Sequence, residues 1–284
     1  MTGRLLAVGL LTLLALVGAW LLAAGTPLVI LLAAGIPAAA YAVAIIRIDR
    51  YRREPLAALV AAFVGGALLA AGAAGALNDA VLAYVEGLVG AASARQVTPV
   101  LVAPVLEEVA KAAVLAAVLR TWFASFNNVL DGIVYGALVG LGFAMTENIG
   151  YFTLAAVQGG PRGLVQGLYL RAVLEGLIHP AFTAATGAGF GYVREARSAP
   201  RRWSAAVIGL GAAVVQHVVW NGAVSVGLTQ LLCAAATPDG PCQVVPPPAR
   251  LYAVVPVVIV AFLAPGILVL GAMARARLGA SPRQ

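Results

Sequence analysis

Eight apolar runs, near residues 5–24, 27–46, 56–77, 97–119, 129–156, 168–192, 204–231 and 251–273, restrict what this chain can become. An α-helix rises about 1.5 Å per residue and the hydrocarbon core of a bilayer is about 30 Å thick, so a run of about 20 apolar residues is long enough to span it. Hydrophobic residues make up 62% of the sequence and charged residues 10%, against about 25% charged in soluble domains. The chain reads as an all-α, polytopic membrane protein of eight transmembrane helices in a single transmembrane domain, residues 1–284. The runs are continuously apolar and lack the alternation of barrel strands, which excludes a transmembrane β-barrel. Glycine and alanine crowd the runs, so neighbouring helices can pack backbone to backbone. Arg4 followed by an apolar run and the small residues Ala23 to Gly25 has the outline of a cleaved signal. The run is long and a second follows at once, so we read it as a retained first helix.

The net charge of +7 raises the question of nucleic acid, and the positions of the arginines answer it. With the N-terminus inside, Arg4, Arg47, Arg50, Arg52, Arg53, Arg120, Arg194, Arg197, Arg201, Arg202, Arg275, Arg277 and Arg283 fall on the cytoplasmic side, and Arg95, Arg162, Arg171 and Arg250 fall outside. This bias follows the positive-inside rule and puts both termini in the cytoplasm. The basic character orients a multi-pass protein of the cell membrane, with the lipid bilayer as partner and no nucleic acid. Cys233 and Cys242 lie in the external loop before the last helix, where a disulfide is permitted, as are two free thiols. Residues 47–55 and 193–203 read as basic cytoplasmic turns and 158–166 as an external Gly/Pro turn. Residues 78–95 read either as a helix lying at the interface or as a continuation of the third helix.

Set in the greasy segments are Glu107, Glu108, Lys111, Glu147, Glu175, His179 and His217. A charge at the centre of a bilayer is disfavoured by roughly 2.5–3.5 kcal/mol or more, so such residues mark chemistry or transport. On the fourth helix Glu107 and Lys111 are four apart and Glu108 and Lys111 three apart, which brings carboxylate and ammonium together within one turn. Adjacent carboxylates point in different directions, so one can face a reaction centre while the other holds a neighbouring helix. Phe143 and Glu147 share a face of the fifth helix with Asn148 next in sequence, Glu175 and His179 are four apart on the sixth, and His217 and Asn221 four apart on the seventh. Counted from the outer ends, Glu107, Glu147, His179 and His217 lie roughly 14–21 Å deep. Carboxylates and imidazoles at one level on four successive helices, near 97–119, 129–156, 168–192 and 204–231, are the ingredients for activating a water by general-base catalysis or metal coordination.

The motifs EEVAK at 107–111, FAMTEN at 143–148, the lone histidine of the sixth helix and HxxxN at 217–221, in this order, resemble those of the PrsW family of intramembrane proteases, which is distantly similar to the CAAX-prenyl protease and bacteriocin-immunity superfamily. The likeness extends from about 40 to 225 and includes the RIDRYRREP turn, where Arg53 replaces an acidic residue usual in the family. The second motif ends in Glu147, as in PrsW, where CAAX proteases have histidine. The resemblance implies hydrolysis of a peptide bond in a transmembrane protein substrate, such as an anti-sigma-factor-like single-pass protein. It implies catalytic roles for Glu107, Glu108, Lys111, Glu147, His179, His217 and Asn221, supported by Phe143, Asn148 and Glu175. Glu107 or Glu108 would take a proton from water, and Asn221 would donate to the developing oxyanion. Glu108, Glu147, His179 and His217 are the candidate ligands of a divalent metal, zinc if any, although HExxH is missing and a metal-free glutamate mechanism stands beside it.

Other readings of the same residues are a proton-coupled transporter or channel, which would show flux without cleavage, and a non-catalytic membrane scaffold. Inverted halves are not evident, which argues against a transporter. An aspartyl protease would need GxGD, and Asp131 is the only aspartate near a span; Ser225 lacks a nucleophile context.

Overall fold

The computed structural model describes residues 2–48, 54–196, 198–222 and 256–259. Residues 1–222 form one unit and 223–284 a second, of which the described part is a helical turn at 256–259. In the first unit the elements are α1 (Thr2–Ala23), α2 (Leu28–Ile48), α3 (Leu56–Gly65), α4 (Ala71–Val89), α5 (Ala91–Val97), α6 (Ala103–Thr121), α7 (Val129–Gly167), α8 (Ile178–Glu195) and α9 (Ala199–Val219). Three π-helical turns, Gly66–Ala70, Thr98–Val102 and Leu168–Leu174, link α3 to α4, α5 to α6 and α7 toward α8. No strand occurs among the described residues.

Five described stretches are long and apolar enough to cross a membrane: Gly3–Ala23, Leu28–Arg47, Leu56–Val89, Val129–Glu195 and Ala199–Gly222. The sequence-predicted runs at 129–156 and 168–192 both lie inside Val129–Glu195, which the chain folds into more than one helix. The run at 97–119 is not among the five, because Glu107, Glu108, Lys111 and Arg120 interrupt its apolar character. The eighth run lies outside the described residues except for 256–259, as do Cys233 and Cys242. Of the two readings of 78–95, the structure takes the continuation: helix runs from Leu56 through the first π-turn to Val89 and breaks only at Gly90.

Between α7 and its return, the turn expected over 158–166 is confined to one residue. Gly160 takes φ 60° and ψ −148°, a conformation L side chains avoid, and helix resumes at Pro161, whose missing N–H costs nothing in a first turn. Gly163 then lies against the carbonyl of Ala155, so the chain doubles back at once. A second break falls at 175–177, after the last π-turn, and α8 starts afresh at Ile178. His179 is therefore in the first turn of a helix that begins inside an apolar stretch.

Close approach of backbones fixes α7 against α8. Gly132, Gly136 and Gly140 form a stripe at four-residue spacing, and a Cβ on them would collide with the backbones of Gly187, Thr183 and His179 respectively. On its other side Gly142 abuts the Phe63 carbonyl, so α7 is wedged between α3 and α8. The start of α7 is anchored too. Asn128 caps it by accepting from Leu130 N and Asp131 N, Asp131 accepts from the backbone N–H groups of Asn127 and Asn128, and Val129 N donates to Glu195 of α8. Asp131 is fully buried in this capping box, which gives it a structural place. Leu115, Val134, Leu138 and Val139 form part of the apolar core that α3, α6 and α7 share.

Candidate active site

The two adjacent glutamates of α6 diverge as their helical positions dictate. Glu108, with no exposed surface, is saturated: Oε1 accepts from Lys111 Nζ at 2.7 Å and lies 3.0 Å from His217 Nδ1, while Oε2 accepts from Thr183 Oγ1 at 3.2 Å. Glu107 points elsewhere. Its Oε1 accepts from Asn78 Nδ2 of α4 at 3.2 Å, but its Oε2 is buried without a hydrogen-bond partner. Lys111 Nζ and His217 Nε2 each stand 3.8 Å from that oxygen, too far for a hydrogen bond. Lys111 is wholly buried, with Nζ 3.8 Å from the centre of the Phe143 ring, a cation–π contact that accounts for Phe143 beside the charges.

Hydrogen-bond chemistry assigns the imidazole tautomers. An ammonium has only donors, so Lys111 Nζ donates to His179 Nδ1 at 3.1 Å, and the proton of His179 is on Nε2, which donates to Glu147 Oε2 at 2.9 Å. For His217 the Glu108 carboxylate is the acceptor, so Nδ1 donates and Nε2 keeps its lone pair. That lone pair faces the orphaned Glu107 Oε2. Two electron-rich atoms 3.8 Å apart, with the Lys111 ammonium at the same distance from the oxygen, suit a proton or a cation between them. The imidazole rings lie with centroids 5.0 Å apart, and Phe182 stacks on His217 at 4.7 Å.

Glu147 of α7 continues the network outward. Its Oε2 also accepts from Arg171 at 2.6 Å, and the same guanidinium reaches Glu175 Oε2 at 3.2 Å and Asn148 Oδ1 at 3.3 Å while covering the Tyr151 ring. Ala144, Asn148, Arg171, Glu175, Ile178, His179 and Trp220 line a small cavity beside His179.

The residues picked from sequence thus separate into groups. Glu107, Glu108, Lys111, His179 and His217 share one buried centre, with Glu147 joined to it through His179. Glu175 and Asn148 meet Glu147 only through Arg171, and Asn221 Nδ2 donates to the Pro99 carbonyl at 3.0 Å, tying the end of α9 to the second π-turn. Sequence reasoning missed Arg171, Thr183 and Asn78. Arg171 was counted among the outward arginines, yet its side chain is only 21% exposed. Thr183 stands one turn after His179, a spacing that would have placed it on the same face.

The metal-ligand set also falls out differently from the sequence expectation of Glu108, Glu147, His179 and His217. Atoms from Glu107, His179 and His217 lie within 4.8 Å of one another, all three residues being buried. Glu108 and Glu147 instead hold the N–H groups of the two imidazoles, as carboxylates behind histidine ligands do. A partnerless carboxylate oxygen beside an imidazole lone pair fits a cation.

Helices throughout the described residues, several of them long and apolar enough to cross a membrane, and a buried Glu/His/Lys centre define a polytopic membrane protein with a polar interior. Residues 54–263 match the PrsW-protease family, described as PrsW family intramembrane metalloprotease, and the chain belongs to that family. It is accordingly a multi-pass membrane protease. Neither curated proteins nor solved structures give a match to it.

Proposed function

We propose that this protein cleaves a peptide bond of a membrane-protein substrate with a water activated between Glu107 and His217. The observation that carries the reading is the buried, partnerless Glu107 Oε2 facing the His217 Nε2 lone pair across 3.8 Å. Glu107 is the proton acceptor, since the oxygens of Glu108 are already used. A water seated there, aimed by His217, gives one proton to Glu107 as its oxygen bonds to the scissile carbonyl carbon; Glu107 then returns that proton to the amide nitrogen as the C–N bond breaks. Glu108 keeps His217 in the tautomer that leaves Nε2 free, and Lys111 neutralises Glu108 while fixing His179. Glu107 and His217 offer a free oxygen and a free ring nitrogen, and His179 would join them in holding a divalent metal once its Nδ1 is released from Lys111; one carboxylate with two imidazoles suits zinc. When bound, such a metal supplies polarisation of the scissile carbonyl and acidification of water.

The catalytic elements are α6 to α9. The arginine distribution supports both termini in the cytoplasm and residence in the cell membrane, and the family likeness supports a single-pass protein of the anti-sigma-factor kind as substrate. The test is comparative proteomics of membrane fragments from cells carrying the wild type or E107Q, followed by cleavage of the recovered substrate in proteoliposomes. Loss of specific fragments with E107Q and H217A is the expected result. Undiminished cleavage by correctly folded E107Q, H179A and H217A proteins would exclude this centre as the site of hydrolysis.

A further inference from the structure

We infer that Arg171 is a positioning residue that holds the His179 ring in place through Glu147; the inference rests on the hydrolytic reading of the centre but has a readout of its own. The guanidinium touches neither Glu107 nor His217. It binds Glu147 Oε2 at 2.6 Å, the same oxygen that accepts from His179 Nε2 at 2.9 Å, and it is held in turn by Glu175 at 3.2 Å, Asn148 at 3.3 Å and the Tyr151 ring at 4.0 Å. Four partners on a planar, always-charged fork leave it little freedom, which an ammonium on a flexible stem would not reproduce.

Backbone geometry explains how a residue beside an external turn comes to lie here. The π-turn Leu168–Leu174 closes with Glu175 N donating to Leu170 O at 2.8 Å, one residue wider than an α-turn, and the chain then breaks before α8. Such turns are frequent at functional sites because they re-aim side chains. This one puts Arg171 against α7 and Glu175 behind it. Glu147 without Arg171 would be a half-buried carboxylate free to rotate away from His179. The Nε2 proton would then lose its acceptor, and Nδ1 would no longer be held with its lone pair toward Lys111 and the centre.

The chain contains only two histidines, so their ring nitrogens can be read directly by nitrogen-15 NMR of detergent-solubilised protein, with H217N assigning the signals. In the wild type His179 should be protonated at Nε2. In R171Q the Nε2–H signal should move upfield and broaden as its hydrogen bond to Glu147 is lost, with kcat falling about 10- to 100-fold, as for other losses of a carboxylate's support behind an active histidine, while KM changes less than about twofold. R171K should recover part of the Nε2 signature and part of the rate. If R171Q does not fold, R171K alone decides, because it keeps the charge but cannot bridge both carboxylates. An unchanged His179 Nε2–H signal in the variant that folds overturns the inference, as does a raised KM at constant kcat, which would mean contact with substrate. A changed Nε2–H signal in R171Q, with a wild type that cleaves nothing, would uphold the positioning role and sink the protease mechanism instead.

Discussion

Neighbours in sequence, Glu107 and Glu108 are opposite in circumstance, and the difference separates activity from stability. Glu108 carries Lys111, His217 and Thr183, so E108A leaves an ammonium buried without its closest counter-charge. Breaking a buried pair in this way costs about 3–5 kcal/mol, and chemical unfolding in detergent should show a loss of that size. Glu107 has one hydrogen-bond partner, Asn78, for which E107Q keeps an amide oxygen, and it loses only the looser 3.8 Å contact with Lys111, so the unfolding free energy should stay within about 1 kcal/mol of wild type. Its turnover should fall about 100- to 10,000-fold in a cleavage assay, the usual range for losing a general base. The presence of both glutamates, Lys111 and the two histidines at one level could be read from spacing and depth. Which glutamate is tied down could not, because it depends on the side of α6 that meets α8 and α9.

At the scale of elements, the α7–α8 seam decides where His179 sits. G140A adds a methyl group against the His179 carbonyl, and with the backbones already touching, the strain has no flexible side chain to absorb it. Thermal unfolding should show a loss of about 1–3 kcal/mol, and cleavage should slow as His179 is pushed from Lys111 and Glu147. G150A, on the same helix with open space around its position, should be neutral or slightly stabilising. The crowding of glycine and alanine in the apolar runs was visible in the sequence as a licence for close packing; which helices it joins was not. Arg171 escaped notice for a local reason: regular helical counting puts it next to an outer turn, and only the π-turn and the break at 175–177 redirect it to Glu147. The helix running to Val89 was undecided between two readings because Asn78, Asp79 and Glu86 look interfacial, while only the tertiary fold shows Asn78 reaching Glu107.

For the whole molecule, a cation held by Glu107, His179 and His217 would tie α6, α8 and α9 together and so stabilise the folded state by mass action. Zinc at about 100 times its dissociation constant should add about 2.7 kcal/mol to wild-type unfolding, reversibly on chelation, and nothing in H217A. Identical melting curves with zinc and with chelator would refute a structural grip on metal. The seam of Gly132, Gly136 and Gly140 has one more consequence. At these three glycines backbone meets backbone, so parting α7 from α8 would strip one from the other. On the hydrolytic reading, a polypeptide that reached the buried centre would come in beside this seam rather than through it.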